Sequence, residues 1–188
     1  MVGIPALWLS ILLAAVLVFV VSSIIHMFLP YHRTDYGKFS NEDDVMEALR
    51  PLDLPAGEWV VPSAEGRADV MKSDEFRAKV EKGPVLFMTV LPKGDPFAMG
   101  AQLVQWFVYC VIVSIFAAYI TGRALGPGAE YYAVFRFAGA TAFCAYGLAV
   151  WQRTIWFHQK ASTSLKTTFD SLIYALVTAG AFAGFWPG

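Results

Sequence analysis

Residues 3–29 read GIPALWLSILLAAVLVFVVSSIIHMFL, and this stretch decides the fold. It carries no formal charge, with His26 its only titratable side chain. At a rise of about 1.5 Å per residue it outreaches the ~30 Å hydrocarbon core of a bilayer. A cleaved signal peptide has a basic start and a small-residue exit. Here no Lys or Arg precedes Arg33 and no A-x-A exit follows, so the segment is expected to be a retained transmembrane helix.

Working outward, three more apolar stretches have the length of a crossing: residues 101–121 (AQLVQWFVYCVIVSIFAAYIT), 131–151 (YYAVFRFAGATAFCAYGLAVW) and 167–186 (TTFDSLIYALVTAGAFAGFW). Between the second and third spans, GRALGPGAE is dense in Gly and Pro and only reverses the chain, which predicts an antiparallel hairpin. The whole composition agrees. Of 188 residues, 57% are hydrophobic and 15% charged, which excludes an ordinary soluble domain. A formal net charge of −1 argues against a nucleic-acid partner, because phosphate neutralisation needs a basic excess.

The expected fold is therefore an all-α membrane protein of four transmembrane helices with a small α+β insert. Residues 1–30 form the first helix, 31–100 the insert, and 101–188 the other three helices. Basic residues set the orientation. The insert carries nine Lys and Arg and the segment 152–166 adds Arg153, Lys160 and Lys166, whereas the opposite side has Arg123, with Arg136 just inside the third helix. The positive-inside rule then places the insert in the cytoplasm and both termini outside, in a bacterial inner membrane. Aromatic residues support the boundaries: Trp8, Tyr119, Tyr131, Tyr132 and Trp186 fall at one end, and Tyr31, Trp106, Trp151 and Trp156 at the other.

In the insert, Ser40-x-x-Asp43 opens a helix that Pro51 stops, and a second helix should run from Ser73 or Asp74 to Gly83. GEWVVP (57–62) and PVLFMTVLP (84–92) read as strands bounded by Pro, the latter alternatively as a segment lying at the membrane interface. Trp59 should anchor a small core.

Functional motifs are sparse. G-x-S-x-G, the P-loop, G-x-G-x-x-G, C-x-x-C and H-E-x-x-H are all absent, so common catalytic signatures give nothing. Cys110 and Cys144 are expected to be free buried thiols. The densest polar stretch is HMFLPYHRTDYGKF (26–39), read either as an interfacial anchor or as the lining of a polar cavity or subunit contact. His26, His32 and His158 share the inner side, where Asp35 offers an extra ligand. They are expected to be ordinary hydrogen-bonding histidines, with a metal or haem as the rarer use, and no cofactor is predicted. Asp170, one turn into the fourth helix, should point into the bundle, with Gln102 and Gln105 at its depth, and Arg136 too far away to pair with it. Gly139, Gly147, Gly180 and Gly184 mark faces for close helix packing.

The favoured function is a non-enzymatic accessory or interaction subunit that packs against other transmembrane helices or itself, with the lipid bilayer as its other partner. The alternative is an oligomeric channel or small-solute transporter using His26, Gln102, Gln105, His158 and Asp170. Haem or metal binding through His26, His32 or His158 comes third.

Overall fold

The computed structural model describes residues 1–95 and 98–188; positions 96 and 97, in the expected insert, lie outside the described residues. In chain order the elements are α1 (Trp8–Phe28), α2 (Glu42–Leu49), β1 (Gly57–Val61), α3 (Ala68–Lys72), α4 (Asp74–Lys82), β2 (Leu86–Val90), α5 (Gly100–Ala124), α6 (Tyr131–Phe143), α7 (Trp151–Phe157) and α8 (Ala161–Gly184). They fall into two units, Met1–Gly37 with Met99–Gly188, and Lys38–Ala98.

The first unit is a four-helix bundle. Its neighbours around the ring are α1 and α5, α5 and α6, α6 and α8, and α8 and α1. Hydrogen bonds fix the antiparallel order at each end. At one end the Val2 amide donates to the Gly122 carbonyl (2.7 Å), Gly128 to Pro187 (2.8 Å), and the Trp186 indole to Gly126 (3.0 Å). At the other, the Trp106 indole donates to Ser22 Oγ (2.7 Å), the Trp151 indole to Thr168 Oγ1 (3.0 Å), and Thr154 pairs with Ser164 (2.7 Å). Several aromatics expected as membrane-interface anchors are thus pins between helices.

Small side chains fill the interior. Ala14, Ala15, Ala117, Ala118, Ala138, Ala142, Ala175 and Ala179 are buried, with Ser10, Ser114 and Thr178 among them. Large apolar side chains face outward instead, among them Leu12, Val16, Val20, Ile24, Val108, Ile112, Phe116 and Leu176. A soluble bundle has the opposite arrangement, whereas small interiors that let backbones approach are the pattern of helices packed within lipid. Gly139 and Gly147 mark such approaches: a Cβ there would lie 3.1 Å from Ala179 Cβ and 3.0 Å from Ser171 Cβ. Gly180 and Gly184, also expected as packing positions, have no neighbour within 4 Å of a Cβ in the chain itself, and the contact face of α8 is made by Ala175, Ala179 and Ser171. Gly147→Leu is accordingly expected to destabilise the bundle by about 1–3 kcal/mol through overpacking, with Gly184→Leu unchanged, both read from thermal melts in mild detergent.

Three helical stretches are long and apolar enough to cross a membrane: Ile4–Phe28, Gly100–Ala124 and Tyr131–Phe157, with mean hydropathies of 2.8, 2.1 and 1.5. The third passes through one wide π turn, Cys144–Leu148, whose Ala145 carbonyl accepts from Tyr109 Oη (2.9 Å). It continues as α7 to Phe157, so the expected loop at 152–166 is helical on both sides of a short turn at 158–160. The fourth expected span is a full helix, α8, but lies outside the set that meets the apolar criterion. The physical reason is its position. Eleven residues of α8 are buried, against seven on each of α1 and α5, so its polar side chains turn toward protein. Both cysteines are free, but Cys144 is exposed, contrary to expectation.

The second unit contains the expected helices and strands. Ser73 caps α4 by accepting from the Phe76 amide (3.2 Å), as its sequence position suggests. In α2 the cap position is Asn41, one residue later than the Ser40 expected, and no side chain bonds the cap. β1 and β2 pair antiparallel, with Trp59 opposite Met88 and Val61 opposite Leu86, so the 84–92 stretch holds a strand at Leu86–Val90. The short α3 was not foreseen. No described residue of this unit is buried. Trp59, expected to anchor a core, is 43% exposed, its indole donating to the Pro55 carbonyl (3.0 Å).

Candidate functional site

The polar site is built where α1 ends. Pro30 drives the preceding Leu29 into an extended conformation, φ −86° and ψ 133°, so the helix stops at Phe28. Pro30 then opens a 3₁₀ turn through Thr34, which carries Tyr31 and His32 back against α8. On α8, Asp170 is 1% exposed.

The side chains of the site bond to one another. Tyr31 Oη donates to Asp170 Oδ1, and His32 Nε2 lies 2.9 Å from Asp170 Oδ2. His32 Nδ1 lies 2.6 Å from Asp35 Oδ2. Lys166 Nζ donates to Asp35 Oδ1 (2.8 Å), Thr34 Oγ1 (2.8 Å) and the Tyr31 carbonyl (2.6 Å). A neutral imidazole has one N–H, but here both ring nitrogens face carboxylate oxygens, a geometry that an imidazolium satisfies with two donors. Lys166, Asp35, His32 and Asp170 thus form one hydrogen-bonded chain of alternating nitrogen and carboxylate groups, which is how polar groups tolerate a desolvated position.

Burial alone would raise Asp35, but hydrogen bonds from Lys166 and His32 outweigh it and hold the carboxyl below its ordinary range. Burial, then the bond to Asp170, pushes the Tyr31 phenol up, so it remains a donor across the physiological range. His26 is the loosely held member. It is exposed in the last turn of α1, its ring lies 4.5 Å from that of His32, and its nearest polar contact is Tyr174 Oη at 3.5 Å.

Of the residues singled out from sequence, the structure brings His26, His32, Asp35 and Asp170 together. Asp170 is more than two turns into its helix, since α8 begins at Ala161. Gln102 and Gln105 are exposed on α5, and His158 is exposed in the left-handed residue that ends α7, φ 54°. Lys166 is the member that the sequence does not single out, and Tyr31 stands there only within the polar stretch 26–39 and among the interfacial aromatics. Lys166 had been assigned to a loop, yet its spacing of four from Asp170 puts both on one helical face, a signal that becomes readable once the helix start is known. No known protein family, curated protein or solved structure matches this chain.

Proposed function

We propose that this chain is a four-span membrane protein serving as an accessory interaction subunit. Its bundle sits in the bilayer and its insert, Lys38–Ala98, docks another polypeptide. The observation that carries the docking role is the insert itself: a unit with helices and a sheet in which no described side chain is buried. Val61 and Leu86, paired across the sheet, are 45% and 41% exposed, and Leu91 is 67% exposed. A two-stranded sheet is marginal alone and offers two outer edges to which a strand can be added.

The bundle's outward-facing Leu, Ile, Val and Phe support immersion in lipid, with α8 crossing as the fourth span because its polar face is shielded by α1 and α6. Lys and Arg gather on the insert and around the α7–α8 turn, which favours that side as cytoplasmic and both termini as external, in an inner membrane. A transport role draws little support. Gln102, Gln105 and His158 are exposed, and the interior hydroxyls of Ser114 and Thr178 bond to carbonyls of their own helices (2.9 Å each).

Purification from native membranes in mild detergent, followed by native mass spectrometry, tests the reading. The expected result is a complex heavier than the 20.7 kDa chain, containing a stoichiometric second polypeptide. A single uncomplexed chain would overturn it.

A further inference from the structure

The geometry points to a binding site for one divalent transition-metal ion of the zinc class at the membrane boundary, ligated by His26, His32 and Asp170. One donor atom from each of these side chains lies within 4.8 Å of the others. Metal bonds of about 2.0–2.2 Å require donors a little over 3 Å apart, so the set needs a closure of at most about 1.5 Å. His26 is free to supply it: its ring is exposed, lies tilted beside that of His32 and is held by no short hydrogen bond.

The surroundings match what a ligating histidine needs. His32 turns Nδ1 to a carboxylate, Asp35, at 2.6 Å, which fixes the ring so that Nε2 points at Asp170. This is the outer-shell relation that orients a metal-bound imidazole and raises its basicity. Lys166 holds Asp35 in turn, and Tyr31 holds the second oxygen of Asp170. On binding, the ion takes the place of the proton on His32 Nε2, which leaves to solvent, and water fills the remaining coordination position. Two imidazoles and one carboxylate suit borderline ions such as Zn²⁺, Co²⁺ or Fe²⁺, not Ca²⁺ or Mg²⁺. The same rings, 4.5 Å apart and tilted by 40°, leave no slot for a porphyrin between them.

The test uses the untagged full chain in detergent, stripped with a chelator and desalted, then titrated with Zn²⁺ against a chromophoric competitor. One equivalent per chain is expected, unaffected by excess Ca²⁺, with Co²⁺ giving the visible bands of a low-coordinate site. His26→Ala, which breaks none of the short hydrogen bonds, should weaken binding at least tenfold with its helicity and melting unchanged. Asp35→Asn should weaken it about 10- to 100-fold, and His158→Ala should leave it as it was. Absence of stoichiometric binding, or equal affinity in the parent and His26→Ala, overturns the site.

Discussion

Asp170→Ala is expected to destabilise the bundle by about 3–5 kcal/mol, the usual cost of removing one member of a buried ionic network. Asp170 is 1% exposed and both its oxygens are in use, by Tyr31 and His32. Without it the Tyr31 phenol and His32 Nε2 lose their partner beside a position that is itself buried. Asp170→Asn keeps an acceptor and should cost less, about 1–3 kcal/mol. Thermal unfolding in detergent, followed by circular dichroism, measures both. As a control, Asp69→Ala removes an exposed ion pair with Arg67 and should leave the melt where it was. A melt of Asp170→Ala indistinguishable from the parent would mean that the cluster does not hold the helix ends together.

Replacing Lys38–Ala98 with a Gly/Ser linker is expected to do the reverse: preserve the bundle and abolish the complex. The bundle has its own interior, in which Leu7, Val18, Val134 and Phe182 are fully buried. No described residue of the insert is buried. The linker variant should therefore melt within about 1 kcal/mol of the parent, in the range of changes remote from packed features. Co-purification of the partner should disappear. A finer version is Val61→Asp, which sets a charge on the exposed face of the sheet opposite Leu86. If that face is central to the contact, retention of the partner should fall by 2 kcal/mol or more, roughly 30-fold. An intact complex in either variant would move the docking surface to the bundle.

The parts of the fold legible in sequence are those governed by local chemistry. Apolar runs gave α1 and α5, Ser73 and Gly83 bracketed α4, and prolines bounded both strands. What depended on long-range contact was not legible. His32 and Asp170 are 138 residues apart, and His26 and His32 are six positions apart with Pro30 between them. On an ideal helix those two imidazoles would not share a face. They meet because the helix ends and a 3₁₀ turn folds back, which no periodicity encodes. The π turn at Cys144–Leu148 and the open positions of Gly180 and Gly184 likewise follow from how α6 and α8 pack. A Gly-x-x-x-Gly spacing identifies a small face but not which face a neighbour covers. Apolar content also understates α8, because a helix enclosed by its neighbours carries more polar residues than one surrounded by lipid.

Hydrogen exchange of the same chain in native membranes and after purification free of other chains tests the docking account most directly. The amides of α1, α5, α6 and α8 should be protected in both. Those of Gly57–Val61 and Leu86–Val90 should be protected in native membranes and should exchange rapidly in the purified chain, where the sheet stands without its partner. Equal, strong protection of both strands in the isolated chain would contradict the account, because the insert would then be complete by itself.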